Sequence, residues 1–252
     1  MSMELSSFFE EYPEVAIAFS GGVDSAYLLC EAAKYAKRVC AYYVKTVFQP
    51  QFEYDDAVKM AASLGVTMKT IEADILSNET VANNPDNRCY YCKQTIFSGI
   101  IKNALKDGFT CVLDGTNASD EEGDRPGMKA LAEMKVLSPL RICGLSKADI
   151  RRLSKEEGLF TWDKPSYACL ATRIMTGQRI DERLLRRCDD SEDYLRTLGF
   201  SDFRVRTRGE DAVIQIRSEQ ISLLVTNRSS ILKKLGGMYR SVLFDLKIRD
   251  EQ

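Results

Sequence analysis

The feature that most constrains the fold is the segment SGGVDS at residues 20–25, which joins an apolar run to an amphipathic one. Residues 15–19 are typical of a short buried strand, and residues 24–36 carry apolar side chains at helical spacing. Two glycines let the backbone turn tightly and approach a ligand, while the next helix N-terminus offers unpaired N–H groups. The segment therefore predicts a phosphate-binding loop. An ordinary N-capped turn is the alternative, since serine and aspartate are favoured caps.

Strand and helix signals alternate through the first two thirds of the chain. The patterns predict strands at 15–19, 38–44, 67–71 and 110–114, and helices near 24–36, 53–64, 93–107 and 146–157. Such alternation predicts a doubly wound parallel sheet covered by helices on both faces. After Gly177 the pattern changes to a helix at 181–198, strands at 203–207 and 212–217, a helix at 218–235 and a strand at 241–247. We predict an α/β domain over 1–176 and a smaller α+β domain, of order α-β-β-α-β, over 177–252.

Composition narrows the range of functions. The 252 residues include 35 Lys and Arg against 37 Asp and Glu, so the formal net charge of −2 gives no general attraction to nucleic acid or anionic lipid. No apolar stretch is long enough for a bilayer and no secretory signal opens the sequence, which predicts a cytoplasmic protein with no membrane partner. Histidine is absent, so a metal must be held by Cys, Asp or Glu. Eight cysteines in such a chain favour buried thiols, redox chemistry or metal binding.

Three of the eight cysteines differ from the rest. Cys89 and Cys92 form a C-x-x-C pair just before the helix predicted at 93–107, and Cys169 lies in a polar loop four residues before Arg173. Three such thiolates would hold a [4Fe–4S] cluster by three corners and leave one iron open. The alternative is a redox pair or partial zinc site with an unrelated Cys169. The other cysteines are not candidates, and three of them lie among apolar neighbours as predicted core residues: Cys30, Cys40 and Cys111.

Six motifs follow one another along nearly the whole chain: SGGVDS, NRCYYCK, DGTNASDEEGDRPG, SPLRICGLSKADIR, WDKPSYACLATRI and RVRTRG. The first resembles the loop of the PP-loop ATP pyrophosphatases, which have the adenine nucleotide alpha hydrolase-like fold. The ordered set resembles the LarE family, the ATP-dependent sulfur transferases of nickel-pincer nucleotide cofactor synthesis. This resemblance implies an enzyme that adenylates a carboxylate of pyridinium-3,5-biscarboxylic acid mononucleotide with ATP, releases pyrophosphate and forms a thiocarboxylate.

The resemblance also implies a source of sulfur. Some members of the family sacrifice the sulfur of the cysteine at the position of Cys169. Others hold a [4Fe–4S] cluster on three cysteines, with an extra sulfide on the open iron as the donor. Because this chain has Cys89 and Cys92 as well as Cys169, we predict the second type, with sulfide or another sulfur donor as a partner.

Roles follow from the resemblance position by position. We expect ATP phosphates at Ser20, Gly21, Gly22, Asp24 and Ser25, with Asp24 acting through Mg²⁺, and the nucleotide along Gly115, Thr116 and Asn117. The expected catalytic residues are Cys169, Asp24 and Arg173, and the expected metal ligands are Cys89, Cys92 and Cys169. The substrate is expected at Asp124, Arg125, Arg173, Arg204 and Arg206. The alternatives are turns or surface ion pairs and, for the alternating arginines at 204, 206 and 208, a solvated edge strand.

Two other functions compete with this one. A PP-loop enzyme that thiolates a tRNA base would share the adenylation step, but the slightly acidic chain argues against an RNA partner. A nucleotide-binding module without turnover would use the same loop for ATP and the C-x-x-C pair for a structural metal. The family further implies a homo-oligomer formed through the C-terminal domain.

Overall fold

The structure is a computed structural model that describes residues 4–120, 126–247 and 249. The helices are α1 Leu5–Glu11, α2 Val23–Tyr35, α3 Gln51–Ser63, α4 Glu79–Ala82, α5 Arg88–Lys106, α6 Pro126–Glu133, α7 Pro139–Ile142, α8 Lys147–Glu156, α9 Glu182–Thr197, α10 Ile221–Thr226 and α11 Arg228–Leu235. The strands are β1 Glu14–Ala18, β2 Arg38–Lys45, β3 Met68–Glu72, β4 Cys111–Leu113, β5 Arg204–Arg208, β6 Asp211–Gln215 and β7 Ser241–Phe244. Short 3₁₀ helices occur at Ile75–Ser77, Leu170–Arg173 and Ser218–Gln220.

The chain divides into two compact units, residues 1–75 with 87–164 and residues 76–86 with 165–252. The segment 76–86 belongs to the second unit because its backbone and side chains bond to the residues after Cys169. The Asn84 side chain donates to the Met175 carbonyl at 2.8 Å, and the Gly177 amide donates to the Asn84 carbonyl at 2.8 Å. Residues 165–176, which the change of sequence pattern assigned to the first domain, therefore group with the second unit.

The first unit is built on a parallel sheet of order β3-β2-β1-β4. The central residues of β1, Val15 to Ile17, are fully buried, as expected of a strand covered on both faces. One apolar cluster packs α1, α2, α3 and α8 on one face, and a second packs α5 and α6 on the other. This confirms the predicted α/β class.

The second unit is smaller and contains a mixed sheet of order β5-β6-β7, with the first pair antiparallel and the second parallel. Its apolar cluster joins α9 to these strands and to α11. The helix predicted at 218–235 is interrupted at Asn227, which separates α10 from α11. The Asn227 side chain donates to the Leu223 carbonyl at 3.0 Å, and the Asn227 amide donates to the same carbonyl at 3.1 Å. Every helix in the described part of the chain is too short or too polar to cross a bilayer.

Helix α5 begins one turn earlier than the sequence pattern indicated. Its first two turns contain Cys89 and Cys92, so the C-x-x-C pair lies within the helix and not before it. The prediction was wrong because the apolar periodicity starts only near Phe97, after a partly exposed first turn that carries no periodic signal. Three residues apart, the two thiols share one face of α5.

Asp189 on α9 allows a test of how burial affects stability. Burial raises the pKa of its carboxyl to about 6, with the charges of Asp193 and Glu192 adding to the effect. Within the described residues its buried Oδ1 has no hydrogen-bond partner. The folded state therefore binds this proton more tightly than the unfolded state, so the stabilisation is full below about pH 4 and is lost as the pH rises through 6.

We expect Asp189→Asn to raise the melting temperature at neutral pH, where the wild type buries a charged carboxylate, and to have progressively less effect towards pH 4. Thermal unfolding monitored between about pH 4 and pH 7.5 measures this difference. The exposed Asp163, whose charge does not act on Asp189, serves as the control when changed to Asn and should alter neither end of the range. A lower melting temperature for Asp189→Asn at neutral pH would contradict the assignment.

Candidate functional site

The carboxyl ends of β1 and β4 lie side by side at the point where the sheet order reverses. From β1 the chain continues to β2 and β3 on one side, whereas β4 pairs with the other side of β1. Ligands of open parallel sheets collect at such a switch point. The segment 20–25 follows β1 and the segment 115–117 follows β4. Both predicted nucleotide-binding segments therefore meet at this crevice.

The loop after β1 has the geometry of an anion cradle. Gly21 has φ +73°, and a Cβ there would lie 2.9 Å from the Ala57 Cβ, so only glycine fits. The Ser20 and Ser25 hydroxyls are 3.1 Å apart, and the Ser20 amide donates to Ser25 Oγ at 3.3 Å. Gly22 is the N-cap of α2, and no side chain in the described part of the chain caps this helix. The first amides of α2 are thus available to a phosphate group.

The loop after β4 packs directly against the first turn of α2. A Cβ on Gly115 would lie 3.0 Å from the Ser25 amide nitrogen, so any side chain there would press against the backbone of α2. Thr116 donates its hydroxyl to Asp114 Oδ2 at 2.5 Å, and the Asn117 side chain donates to Asp24 Oδ1 at 3.4 Å. The predicted nucleotide residues of the two loops are therefore in contact.

Lys147, a residue that the sequence reasoning did not select, completes this cluster. Its Nζ donates to Asp24 Oδ2 at 2.5 Å, and its amide donates to Ser119 Oγ at 3.0 Å. A capping box between Ser146 and Asp149 fixes the start of α8 and so the position of Lys147. One feature of the sequence could have indicated this role: Lys147 is a cation in the first turn of α8, where the helix dipole disfavours positive charge unless an anion lies nearby. With Asp24, it gives the crevice one anionic and one cationic group beside the α2 N-terminus.

The eight cysteines fall into two environments. Burial raises the pKa of five thiols, a condition that disfavours the thiolate: Cys30, Cys40, Cys111 (to about 11), Cys143 and Cys188. The predicted core positions of Cys30 and Cys40 are confirmed, and Cys111 is half-buried. Of the others, Cys89 is exposed and Cys92 is half-buried on α5 of the first unit, whereas the half-buried Cys169 belongs to the second. The described residues contain no group of three His, Cys, Asp or Glu that could hold a metal ion.

The loop that carries Cys169 is held by a buried ion pair. Arg173 is only 1% exposed, and its Nε and Nη2 donate to the two carboxylate oxygens of Glu192 at 2.7 and 2.9 Å. Its Nη1 donates to the Ala168 carbonyl at 2.6 Å, next to Cys169. These contacts of Arg173 all lie within the protein, so it fixes the path of the backbone around the thiol.

Glu192 is a second residue that the sequence reasoning missed. Besides Arg173 it accepts the Tyr167 hydroxyl at 2.6 Å and the Val205 amide at 2.9 Å. Burial alone would raise the pKa of this carboxyl, but the hydrogen bonds and charge of Arg173 hold it below the usual value. The signal was its position in the buried stripe of α9 between Cys188 and Leu195, where a carboxylate requires a partner.

The arginines of β5 also contact the Cys169 loop. Arg204 is 6% exposed, donates to the Ser166 carbonyl at 2.7 Å and lies over the Tyr167 ring, so it is not part of a solvated edge. Burial and the nearby Arg173 lower the pKa of Arg204 to about 10. Arg206 is half-buried and donates to the Thr172 carbonyl at 2.6 Å. Two other predicted substrate residues, Asp124 and Arg125, lie outside the described residues.

Known proteins resemble this chain over most of its length. It is 30% identical over 245 residues to the pyridinium-3,5-bisthiocarboxylic acid mononucleotide synthase of Lactiplantibacillus plantarum, covering 96% of this chain and 89% of that protein. It is 35% identical over 230 residues to an uncharacterised protein of Synechocystis, covering 89% and 84%. A tRNA-specific 2-thiouridylase of Fervidobacterium nodosum is 26% identical over 182 residues, covering only 58% and 52%. No profile of a known protein family matches the chain.

The two loop glycines allow a direct test of the cradle. We expect Gly21→Ala to lower the free energy of unfolding by about 2 kcal/mol, because it combines a left-handed backbone with a clash against Ala57. Gly22→Ala is the matched control: its φ is −78° and its nearest contact would be Ser20 Oγ at 3.5 Å, so a change within about 0.5 kcal/mol is expected. Denaturant unfolding measures both, and equal losses would rule out this account of the loop.

Proposed function

Because the chain belongs to the LarE family of ATP-dependent sulfur transferases, within the PP-loop superfamily, we propose that it thiolates pyridinium-3,5-biscarboxylic acid mononucleotide. A carboxylate oxygen of the substrate attacks the α-phosphorus of ATP, and pyrophosphate leaves. A sulfur nucleophile then attacks the acyl carbon, and AMP leaves a thiocarboxylate behind. The two steps repeat at the second carboxylate. The adenylation makes a poor electrophile reactive, and the phosphoanhydride of ATP supplies the driving force.

The observation that carries the adenylation step is the pairing of Asp24 with Lys147 beside the uncapped end of α2. We place the pyrophosphate portion of ATP on the first amides of α2, where the helix dipole also favours negative charge. Lys147 then neutralises a phosphate oxygen. The freed carboxylate of Asp24 fits Mg²⁺, a hard cation that prefers oxygen ligands and offsets phosphate charge. The nucleoside lies along the segment 115–117 on the other side of the crevice.

We expect Lys147→Met to slow substrate-dependent pyrophosphate release about 100-fold, the usual loss when one charged contact to a transferring phosphoryl group is removed. Lys69→Met is the matched control, since Lys69 forms a comparable 2.6 Å ion pair with Asp107 away from the crevice. The assay follows pyrophosphate release from ATP in the presence of the mononucleotide. Full activity of Lys147→Met with wild-type kinetics would refute the role given to this lysine.

We further propose that Cys89, Cys92 and Cys169 hold a [4Fe–4S] cluster. Two observations support this choice: none of the three side chains is buried, and Cys89 and Cys92 lie three residues apart near the start of α5. Thiolates are the ligands that iron–sulfur clusters require. When bound, the cluster would supply one open iron for a sulfide. The alternative source of sulfur is the Cys169 thiol itself.

The buried charges around the Cys169 loop then have a positioning role. Arg173 binds the Ala168 carbonyl and Arg204 binds the Ser166 carbonyl, so together they fix the backbone on the approach to Cys169. Glu192 balances the charge of Arg173. We propose that Arg206, which is the less buried of the two β5 arginines, binds the substrate phosphate. Asp124 and Arg125 stay candidates for holding the adenylate or another part of the substrate.

The cluster proposal is tested by anaerobic purification followed by reconstitution with iron and sulfide. We expect roughly four irons per wild-type chain and loss of iron in both Cys89→Ala and Cys169→Ala. The control Cys111→Ala changes a half-buried thiol of β4 and should keep its iron. Absence of iron in the wild type, with a loss of about 34 Da at Cys169 after turnover, would instead identify Cys169 as a sacrificial sulfur donor.

The remaining expectations concern partners and location. The partial similarity to a thiouridylase supports the tRNA alternative. The net charge of −2 argues against it, because RNA binding needs an excess of positive charge. We propose that the enzyme acts in the cytoplasm on a small-molecule substrate. Homo-oligomerisation through the second unit stays a prediction.

A further inference from the structure

The second unit contains a cleft that none of the proposed roles uses. It has a volume of about 560 Å³, in the range that holds small organic ligands, and lies between α9 and the turn at Gly237 and Met238. Helix α9 lines it with Arg183, Arg186 and Arg187. Residues three and four apart share one face of a helix, so three guanidinium groups line the same side of the cleft.

Arg187 is the best-defined of these groups. It is 8% exposed, and its Nη1 and Nη2 donate to Glu210 Oε2 at 3.1 Å and to the Gly209 carbonyl at 3.2 Å. The guanidinium lies over the Tyr239 ring. Its Nε has no hydrogen-bond partner within the described residues. Because this nitrogen is buried, Arg187 contributes positive charge beside the cleft and not a free hydrogen-bond donor.

The other two arginines are accessible to a ligand. Arg183 is exposed and forms no ion pair in the part of the chain that the structure describes. Arg186 pairs with Glu182 at 2.7 Å, but both side chains are more than half exposed, so this pair is weak and readily exchanged for a ligand anion. The arginine side of the cleft therefore suits an anion with several acceptor oxygens.

Asp190 places a negative charge at the other end of the cleft from Arg183. It lines the cleft seven residues after Arg183, about 10 Å further along α9. It is exposed, and the described residues offer it no ion-pair partner. A carboxylate repels a second anionic group but accepts hydrogen bonds from hydroxyl or amino groups. The cleft therefore favours a ligand with an anionic group at one end and hydrogen-bond donors at the other over a ligand that is negatively charged throughout.

We propose that this cleft binds a phosphomonoester of nucleotide size, with its phosphate at Arg183 and Arg187 and its hydroxyl or amino donors at Asp190. Guanidinium groups match phosphate oxygens in paired hydrogen bonds, which the exposed Arg183 can donate, while the buried Arg187 adds positive charge. The site is independent of the phosphate loop in the first unit.

The test uses ribose 5-phosphate, which carries a phosphate and several hydroxyls but no base. It is titrated into the full-length protein saturated with a non-hydrolysable ATP analogue, so that the phosphate loop is already occupied. Hydrogen exchange of peptides from α9 reports binding at the cleft. We expect saturable protection of α9, with inorganic phosphate at equal ionic strength binding about ten-fold more weakly because it lacks the donors.

Two variants and one control separate the roles of the residues. Arg183→Gln should weaken ribose 5-phosphate binding about ten-fold, as expected for loss of one charge-assisted contact. Asp190→Asn should reduce the preference for ribose 5-phosphate over inorganic phosphate. The control Arg228→Gln changes another exposed arginine of the same unit and should bind as the wild type does.

Equal protection by ribose 5-phosphate and inorganic phosphate, or wild-type binding by Arg183→Gln, would show that the cleft takes an adventitious ion only and would overturn the proposal. Protection confined to the segment 20–25 would overturn it as well. None of these outcomes affects pyrophosphate release by the enzyme or its loss in Lys147→Met, so this site and the proposed reaction fail separately.

Discussion

The close approach of Gly115 to the Ser25 amide sets the geometry of the nucleotide crevice. Because β4 pairs with β1, the two loops leave neighbouring strands at the same edge, and the missing side chain at residue 115 lets them touch. The contact places the Asn117 amide within reach of Asp24, and the start of α8 places Lys147 on the other carboxylate oxygen. A larger residue at 115 would press on the Ser25 backbone, so the second loop or α2 would have to shift. The charged cluster is therefore a consequence of backbone packing.

The parts of the fold that sequence predicts well are those with local signals. Apolar runs, helical spacing or paired glycines within about a dozen residues predict each of the four parallel strands, α2 and the phosphate loop. Lys147 is 123 residues from Asp24 along the chain, and no local pattern reports such a pairing. Glu192 gave a weak local signal, a carboxylate in an apolar stripe, but its partner was not identifiable without the fold. The interruption of the predicted helix 218–235 at Asn227 is likewise a feature that apolar periodicity does not register.

The ion pair of Arg173 and Glu192 contributes more to positioning the Cys169 loop than to the stability of the fold. Desolvating two charges costs roughly what their attraction returns, so a buried pair is weak support for a fold. Removing one partner is costly, however, because the other charge is then buried alone. Here the fourth donor group of the network, the Val205 amide, ties the pair to β5, while Arg173 reaches the carbonyls beside Cys169. The network therefore connects the position of one thiol to the sheet of the second unit.

The division of the chain also shapes how it is made. The chain passes from one unit to the other at 75–76, 86–87 and 164–165, so neither unit is a single continuous stretch. During synthesis, residues 76–86 leave the ribosome long before residues 165–252, with which they group. That early segment therefore remains without its native partners while the first unit, which flanks it in the sequence, is synthesised and folds. In a nascent chain of this protein, residues 76–86 thus cannot form their native contacts until most of the second unit has been translated.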